Sequence, residues 1–151
     1  MQARMRNPAM VVPGAMEAIQ ALQNVVQSGG VPPSTLALVH LRASQINGCG
    51  TCVDAGCEFA KKEGETDQRL CAVATWRTSP HFTGAERAAL AITEAVTRLA
   101  DQSDPVPDEL WNEAARHFSE SALGALILWI SISNVVNRLN VSTRQVTGSW
   151  G

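Results

Sequence analysis

The chain has 151 residues, 45% hydrophobic, 17% charged and 5% aromatic, with a formal net charge of -2 and no Tyr. That length suits one domain, residues 1–151, able to bury a core without metal or disulfide staples. The near-neutral balance argues against a nucleic-acid binder, and neither sign of charge dictates a partner.

The opening stretch "MQARMRNPAMVVPGAM" breaks on Pro8 and Pro13 before an apolar run can develop, so it does not read as a secretory signal. Helices follow one another from there. In "PGAMEAIQALQNVVQSGG", Met16, Ile19, Leu22, Val25 and Val26 recur at helical spacing until Gly29-Gly30 stops the pattern. "VPPSTLALVHLRASQING" places Pro32 and Pro33 where a first turn tolerates them, carries Leu36, Val39, Leu41 and Ile46, and ends at Asn47-Gly48. A third helix starts at Cys49 or Gly50 and runs to about Glu63, with Gly64 as its breaker and Thr66 as the N-cap of a fourth, "DQRLCAVATW". Thr83 and Glu86 match a capping box ahead of a helix ending near Ala100. Pro107 opens a sixth. The last helix, about Glu120 to Asn137, is apolar on nearly every side, as a central or interface helix would be. Its longest apolar stretch, Ala122 to Val136, is short for a bilayer and interrupted by Ser131, Ser133 and Asn134. The expectation is an all-α protein of six to seven helices, cytoplasmic and without membrane or nucleic-acid partners.

Three of the four cysteines lie in "QINGCGTCVDAGCEFAKKEGET": Cys49, Cys52 and Cys57. A Cys-x-x-Cys pair at a helix start can close a small disulfide, since one helical turn brings the side chains together. The positive dipole end there favours the thiolate. The same pair is also half of a zinc site, or two small buried hydrophobes. Zinc wants four ligands, and Cys57, Cys71, His40, His81 and His117 supply no second pair, so no metal and no cofactor is expected.

Together with "LVHLRASQINGCGTCVDAG", the stretches "AKKEGETDQRLCAVATWRTSPHFTGAERAALAITEAV" and "NVVNRLNVSTRQVTGSW" give a sequence that resembles the carboxymuconolactone decarboxylase family, in its alkylhydroperoxidase D (AhpD)-like branch, from about Ala9 to Trp150. The resemblance implies a helical bundle that assembles into trimers or hexamers. It also implies a hydroperoxide substrate and re-reduction by a dithiol protein or small thiol. By that resemblance Cys52 is the attacking thiol and Cys49 resolves it. The peroxidase pattern adds a Glu twelve residues before the first cysteine and a His four after the second, forming a proton relay. Here those positions hold Ala37 and Gly56, and a further His found in some members before the second cysteine is Thr51. Without that relay a thiol near the reference value of about 8.5 is only a few per cent ionised at neutral pH, so weak activity is expected.

His40 shares a helix face with Ala37 and titrates near neutral pH, which makes it a possible auxiliary base; its plainer reading is a packed, hydrogen-bonded residue. Cys57 is a possible third thiol or a buried filler, and Cys71 reads as core. Asp54 is expected in the first turn after the pair, complementing the dipole. Asn134, Asn137, Arg138 and Asn140 read as a polar cluster ending the last helix, in capping or an inter-subunit network, and Trp76, Trp111, Trp129 and Trp150 as core or interface anchors. The leading function is thiol-dependent hydroperoxide reduction or dithiol-disulfide exchange. The alternatives are a decarboxylase-like or other small-molecule enzyme that does not use the thiols, and a non-catalytic redox-sensing assembly protein.

Overall fold

The computed structural model describes residues 2–148, and Trp150 lies outside them. The described chain is helical: α1 (Pro8–Val11), α2 (Ala15–Gln27), α3 (Pro33–Ile46), α4 (Gly50–Lys62), α5 (Asp67–Ala72), a 3-10 segment (Val73–Thr78), α6 (Gly84–Thr97), α7 (Asp108–His117) and α8 (Glu120–Thr143). Two features differ from the expected count. Asn7 accepts a hydrogen bond from the Ala9 amide and Pro8 takes the first turn, which creates the short α1. The expected fourth helix is α-helical only to Ala72 and continues as the 3-10 segment, which itself kinks at Thr75 (φ -122°, ψ 29°).

Local signals account for most boundaries. Pro33 opens α3, and Thr66 and Ser119 accept from backbone amides at the starts of α5 and α8. The Thr83/Glu86 capping box is complete, and Glu86 also takes Arg69 Nη2 at 2.5 Å, tying α5 to α6.

α3 is the most enclosed element and packs on α4, α6 and α8. Its Leu36 and Val39 join an apolar cluster with α2, α6, α7 and α8, whereas Ala37, Leu38 and Leu41 join a second with α4, α5 and α6. Each fully buried Leu or Ile stabilises by about 1.5–3 kcal/mol, so a helix feeding both clusters anchors the fold. Trp129 of α8 donates to the Leu36 carbonyl at 2.7 Å, and Trp76 donates to Glu94 at 3.0 Å; Trp111, by contrast, is exposed.

α8 is longer than its apolar stretch, at 24 residues, and an 18-residue window of it, with a mean hydropathy of 1.5, is long and apolar enough to cross a membrane by length and composition. Over half of that window, 56%, is buried against the rest of the protein, as in a core helix. The asparagines do not end it. Asn134, Asn137 and Asn140 are buried, three residues apart on one face, and the helix continues to Thr143 because each finds a partner inside the protein.

Candidate active site: a disulfide at a helix start

The turn between α3 and α4 places the thiols. Asn47 follows α3, and Gly48 then adopts φ +64°, a left-handed conformation open to glycine at little steric cost. The chain reverses there, and Cys49 becomes the N-cap of α4. Its Sγ accepts from the Cys52 amide at 3.3 Å. Cys49 and Cys52 form a disulfide with Cα atoms 5.3 Å apart, both residues nearly enclosed at 2% and 3% exposure. The free amides at the start of a 13-residue helix face this pair, which favours negative charge on sulfur once the bond is reduced.

The asparagine stripe of α8 closes over the same turn. Asn47 Nδ2 donates to Asn134 Oδ1 and to Asn137 Oδ1, each at 2.9 Å. Asn137 Nδ2 donates to Ser44 Oγ at 3.0 Å, and Asn134 Nδ2 to Thr97 Oγ1 at 3.2 Å and the Ile130 carbonyl at 2.8 Å. Asn140 Nδ2 donates to Cys52 Sγ at 3.2 Å, and its Oδ1 accepts from Asn7 Nδ2 at 2.6 Å. Asn7 arrives there because the N-terminal arm runs along the end of α8, with the Arg4 amide on the Thr143 carbonyl at 2.9 Å and Gln145 Nε2 on the Met5 carbonyl at 2.9 Å. Thr51 Oγ1 reaches the Gln145 carbonyl at 3.2 Å and fastens α4 to this corner. A cleft of about 510 Å³ opens beside it, lined by Cys49 but not Cys52, with Asn140, Arg144 and Gln145 among its walls.

His40 serves the other side of α4. Ala37 is fully buried in apolar packing, and no side chain extends from Gly56, so neither position offers a titratable group. The His40 ring lies against Gly56: a Cβ there would stand 3.1 Å from His40 Cδ2. The imidazole therefore occupies space that any side chain at 56 would contest. Its hydrogen bonds run from Nδ1 to Ser133 Oγ at 3.0 Å and to the Cys52 backbone. Burial pushes its pKa below the ordinary imidazole value, against the opposing pull of the Cys52 backbone bond, so the ring is neutral at pH 7. The hydrogen bonds at the sulfurs come instead from the Cys52 amide and Asn140. His40 lines a second cavity of about 460 Å³ with Gly56, Phe59 and Trp129, walled by Gln20, Gln23, Asn24 and Gln27 from α2.

The other sequence candidates separate from the pair. Cys57 is half-buried beside the second apolar cluster, and partial burial pushes its thiol pKa up, with Asp54, Cys71 and Glu58 adding to the rise and Lys61 opposing it. Cys71, expected in the core, is exposed: Leu70 turns inward on the short α5 and carries the burial instead. Asp54 is exposed and lies past the first turn of α4. Arg138 is likewise exposed and takes no place in the asparagine stripe. Among the described residues, no group of three or more His, Cys, Asp or Glu stands together to hold a metal.

A helical bundle carrying a Cys-x-x-Cys disulfide at an internal helix start defines a class of thiol-pair proteins. The chain belongs to the carboxymuconolactone decarboxylase family, whose model matches residues 13–95, and to its AhpD-like branch. It is 30% identical over 132 residues to the uncharacterized protein YdfG of Bacillus subtilis (strain 168), covering 87% of this chain and 88% of that one. It superposes with a TM-score of 0.88 and 35% identity on an Agrobacterium tumefaciens protein of unknown function described as a candidate antioxidant defence protein AhpD, covering 97% and 98% of the two chains. The debrominase Bmp8, in its apo form, shares the fold at a TM-score of 0.74 and 24% identity, over 91% of this chain and 73% of that one.

The sequence named the pair, but not Asn7, Ser133 or the contact from Asn140 to sulfur. The Asn134-Asn137-Asn140 spacing did carry a signal, because amides three apart in an apolar helix mark a buried polar stripe. Asn7 had none, being 133 residues from its partner.

Proposed function

We propose that the protein is a thiol-dependent hydroperoxide reductase or dithiol-disulfide oxidoreductase working through Cys49 and Cys52 in the cytoplasm as a homo-oligomer. The observation that carries this reading is the disulfide at the start of α4, beside a cleft and under a hydrogen-bond donor to Cys52. In the oxidative half of the cycle the Cys52 thiolate attacks the outer peroxide oxygen. The O–O bond breaks, the alkoxide takes a proton and leaves as the alcohol, and Cys52 becomes a sulfenic acid. The Cys49 thiol then attacks the sulfenic sulfur, water departs, and the disulfide forms. A dithiol donor returns two electrons and two protons. Because Ala37 and Gly56 supply no relay, the rate falls below that of relay-bearing enzymes. The test is hydroperoxide consumption with a dithiol donor: Cys52→Ser is expected to lower turnover at least about a hundredfold, and unchanged turnover would overturn the reading.

A second reading is favoured by the cavity around His40. A neutral imidazole on its wall, two aromatic rings and four amides suit a small polar molecule, with His40 as base and the thiols as bystanders. It requires that His40→Gln abolish turnover of a lactone or similar carbonyl substrate while Cys52→Ser does not.

A further inference from the structure

We propose that Asn140, oriented by Asn7, is the group that stabilises the Cys52 thiolate in the absence of an imidazole at position 56, and that it thereby directs a dithiol reductant to Cys49. The inference rests on the reading that Cys52 is a reactive thiol. The Asn140 amide has one donor group and one acceptor. Asn7 Nδ2 donates to Oδ1 at 2.6 Å, so the NH2 group is the end that turns toward Cys52 Sγ, at 3.2 Å. Asn7 is itself fixed, since its Oδ1 accepts from the Ala9 amide at 2.9 Å as the cap of α1. Asn140 and Cys52 are 2% and 3% exposed, so water does not replace this donor. A hydrogen bond to an ionised sulfur is stronger than one to a neutral thiol and favours the charged form. Being neutral, the amide does this without becoming a proton acceptor.

The same contact breaks the symmetry of the disulfide. In thiol-disulfide exchange the better-stabilised thiolate is the faster leaving group. Cys49 lines the cleft, and Cys52 sits behind it against Asn140. A donor thiolate therefore attacks Cys49 Sγ, the S–S bond breaks, and the electron pair leaves on Cys52 Sγ. The donor's second thiol, deprotonated, then attacks the donor's own sulfur in the mixed disulfide. Cys49 is released and protonated, and the donor leaves oxidised by two electrons.

The test follows each thiol by peptide mass spectrometry, which separates Cys49 and Cys52 from the free Cys57 and Cys71, and reads its ionisation from the pH dependence of iodoacetamide alkylation in the full-length reduced protein. In a Cys49→Ser background, Asn140→Leu is expected to lower the thiolate fraction of Cys52 at pH 7 about tenfold, and Asn7→Ala, which does not touch sulfur, about threefold. In a Cys52→Ser background Asn140→Leu should leave the Cys49 titration where it was. An unmoved Cys52 titration in Asn7→Ala and Asn140→Leu overturns the proposal, as does an equal shift at both thiols, which would mark a general loss of packing. Should Asn140→Leu not fold, the Asn7→Ala titration decides alone. The route is tested separately: the disulfide form is treated with limiting 2-mercaptoethanol, quenched with N-ethylmaleimide and mapped by mass spectrometry. The mercaptoethanol adduct is expected on Cys49, with maleimide on Cys52, and the reverse pattern overturns the route. Neither readout requires peroxide turnover, so an inactive peroxidase with a shifted Cys52 titration would sink the hydroperoxide-reductase reading and leave this one standing.

Discussion

Two buried polar clusters stabilise this fold by opposite means. Around Glu94 of α6 the means is charge: Arg42 Nη2 at 2.7 Å, Arg77 Nη1 at 2.6 Å, Arg98 Nη1 at 3.3 Å and the Trp76 indole at 3.0 Å converge on one carboxylate. Around the turn into α4 the means is neutral amides, from Asn7, Asn47, Asn134, Asn137 and Asn140. Both are satisfied, for among the described residues every buried side-chain nitrogen or oxygen has a partner. What separates them is the third participant. A carboxylate can be buried when cations surround it, but beside a thiol it would oppose ionisation of sulfur. Amides hold the backbone corner together and still leave the developing thiolate a donor with no competing negative charge.

Removing the charge from the first cluster should have the largest effect on stability. Burial alone would raise the Glu94 pKa, but hydrogen bonds from Arg77, Trp76 and Arg42 outweigh it and hold the carboxyl at about 2. A displacement from the ordinary 4.5 corresponds to roughly 3 kcal/mol at neutral pH, so Glu94→Gln is expected to lose on the order of 3 kcal/mol in urea unfolding. The pH dependence has a definite sign. A carboxylate with a lower pKa folded than unfolded contributes in full above its unfolded value and loses that contribution as pH falls through its folded one. The wild type should therefore lose stability as pH falls from about 4.5 toward 2, and Glu94→Gln should show a shallower loss over that window. The Cys52 titration should not move in this variant; if it does, the two clusters are not separate.

The amide cluster predicts a smaller loss and a division within itself. Asn137 is fully buried, accepts from Asn47 and donates to Ser44 Oγ. Asn137→Leu keeps the branched heavy-atom shape but leaves both partners short of a bond, for a loss of about 2 kcal/mol. Its Cys52 titration should stay near the wild-type value, since the contact to sulfur belongs to Asn140 three residues on. An equal shift from Asn137→Leu and Asn140→Leu would show that the stripe acts as one packing unit and that its amides have no individual tasks.

The difference between the clusters also explains what could be foreseen. Helix positions were legible because capping residues, prolines and apolar spacing act within a few residues: Thr83 with Glu86, Pro33 and Gly48 all did what their local chemistry requires. The thiol pair was legible for the same reason, two cysteines one turn apart at a helix start. Its surroundings were not. Asn140 and Ser133 reach the site from a helix about ninety residues away in sequence, and Asn7 from the opposite end of the chain. Cys71 misled because an apolar neighbourhood in sequence does not fix which face of a six-residue helix turns inward. The exposed apolar side chains of Leu22 and Val25 on α2 and of Leu128 and Val135 on α8 are surface that the proposed assembly would cover.

The smallest expected effect lies on the far side of α4, where Gly56 meets His40. Alanine in a helix interior is favoured over glycine by about 1 kcal/mol, so an unobstructed Gly56→Ala would stabilise by that amount. The new Cβ, however, would stand 3.1 Å from His40 Cδ2 and 3.9 Å from the Leu41 Cα. His40 cannot yield freely, because Ser133 and the Cys52 backbone hold its ring. The propensity gain and the displacement should nearly cancel, leaving a net change well below the full gain of about 1 kcal/mol in thermal unfolding. Stability is then the less telling measurement, and the imidazole titration by NMR the sharper one. Burial is the main cause of the low His40 pKa, so a ring pushed toward the 460 Å³ cavity should titrate closer to the ordinary value. A full stabilisation of about 1 kcal/mol with an unmoved His40 titration would mean that the ring and position 56 do not compete for space. His40 would then not be the group that keeps side chains out of position 56.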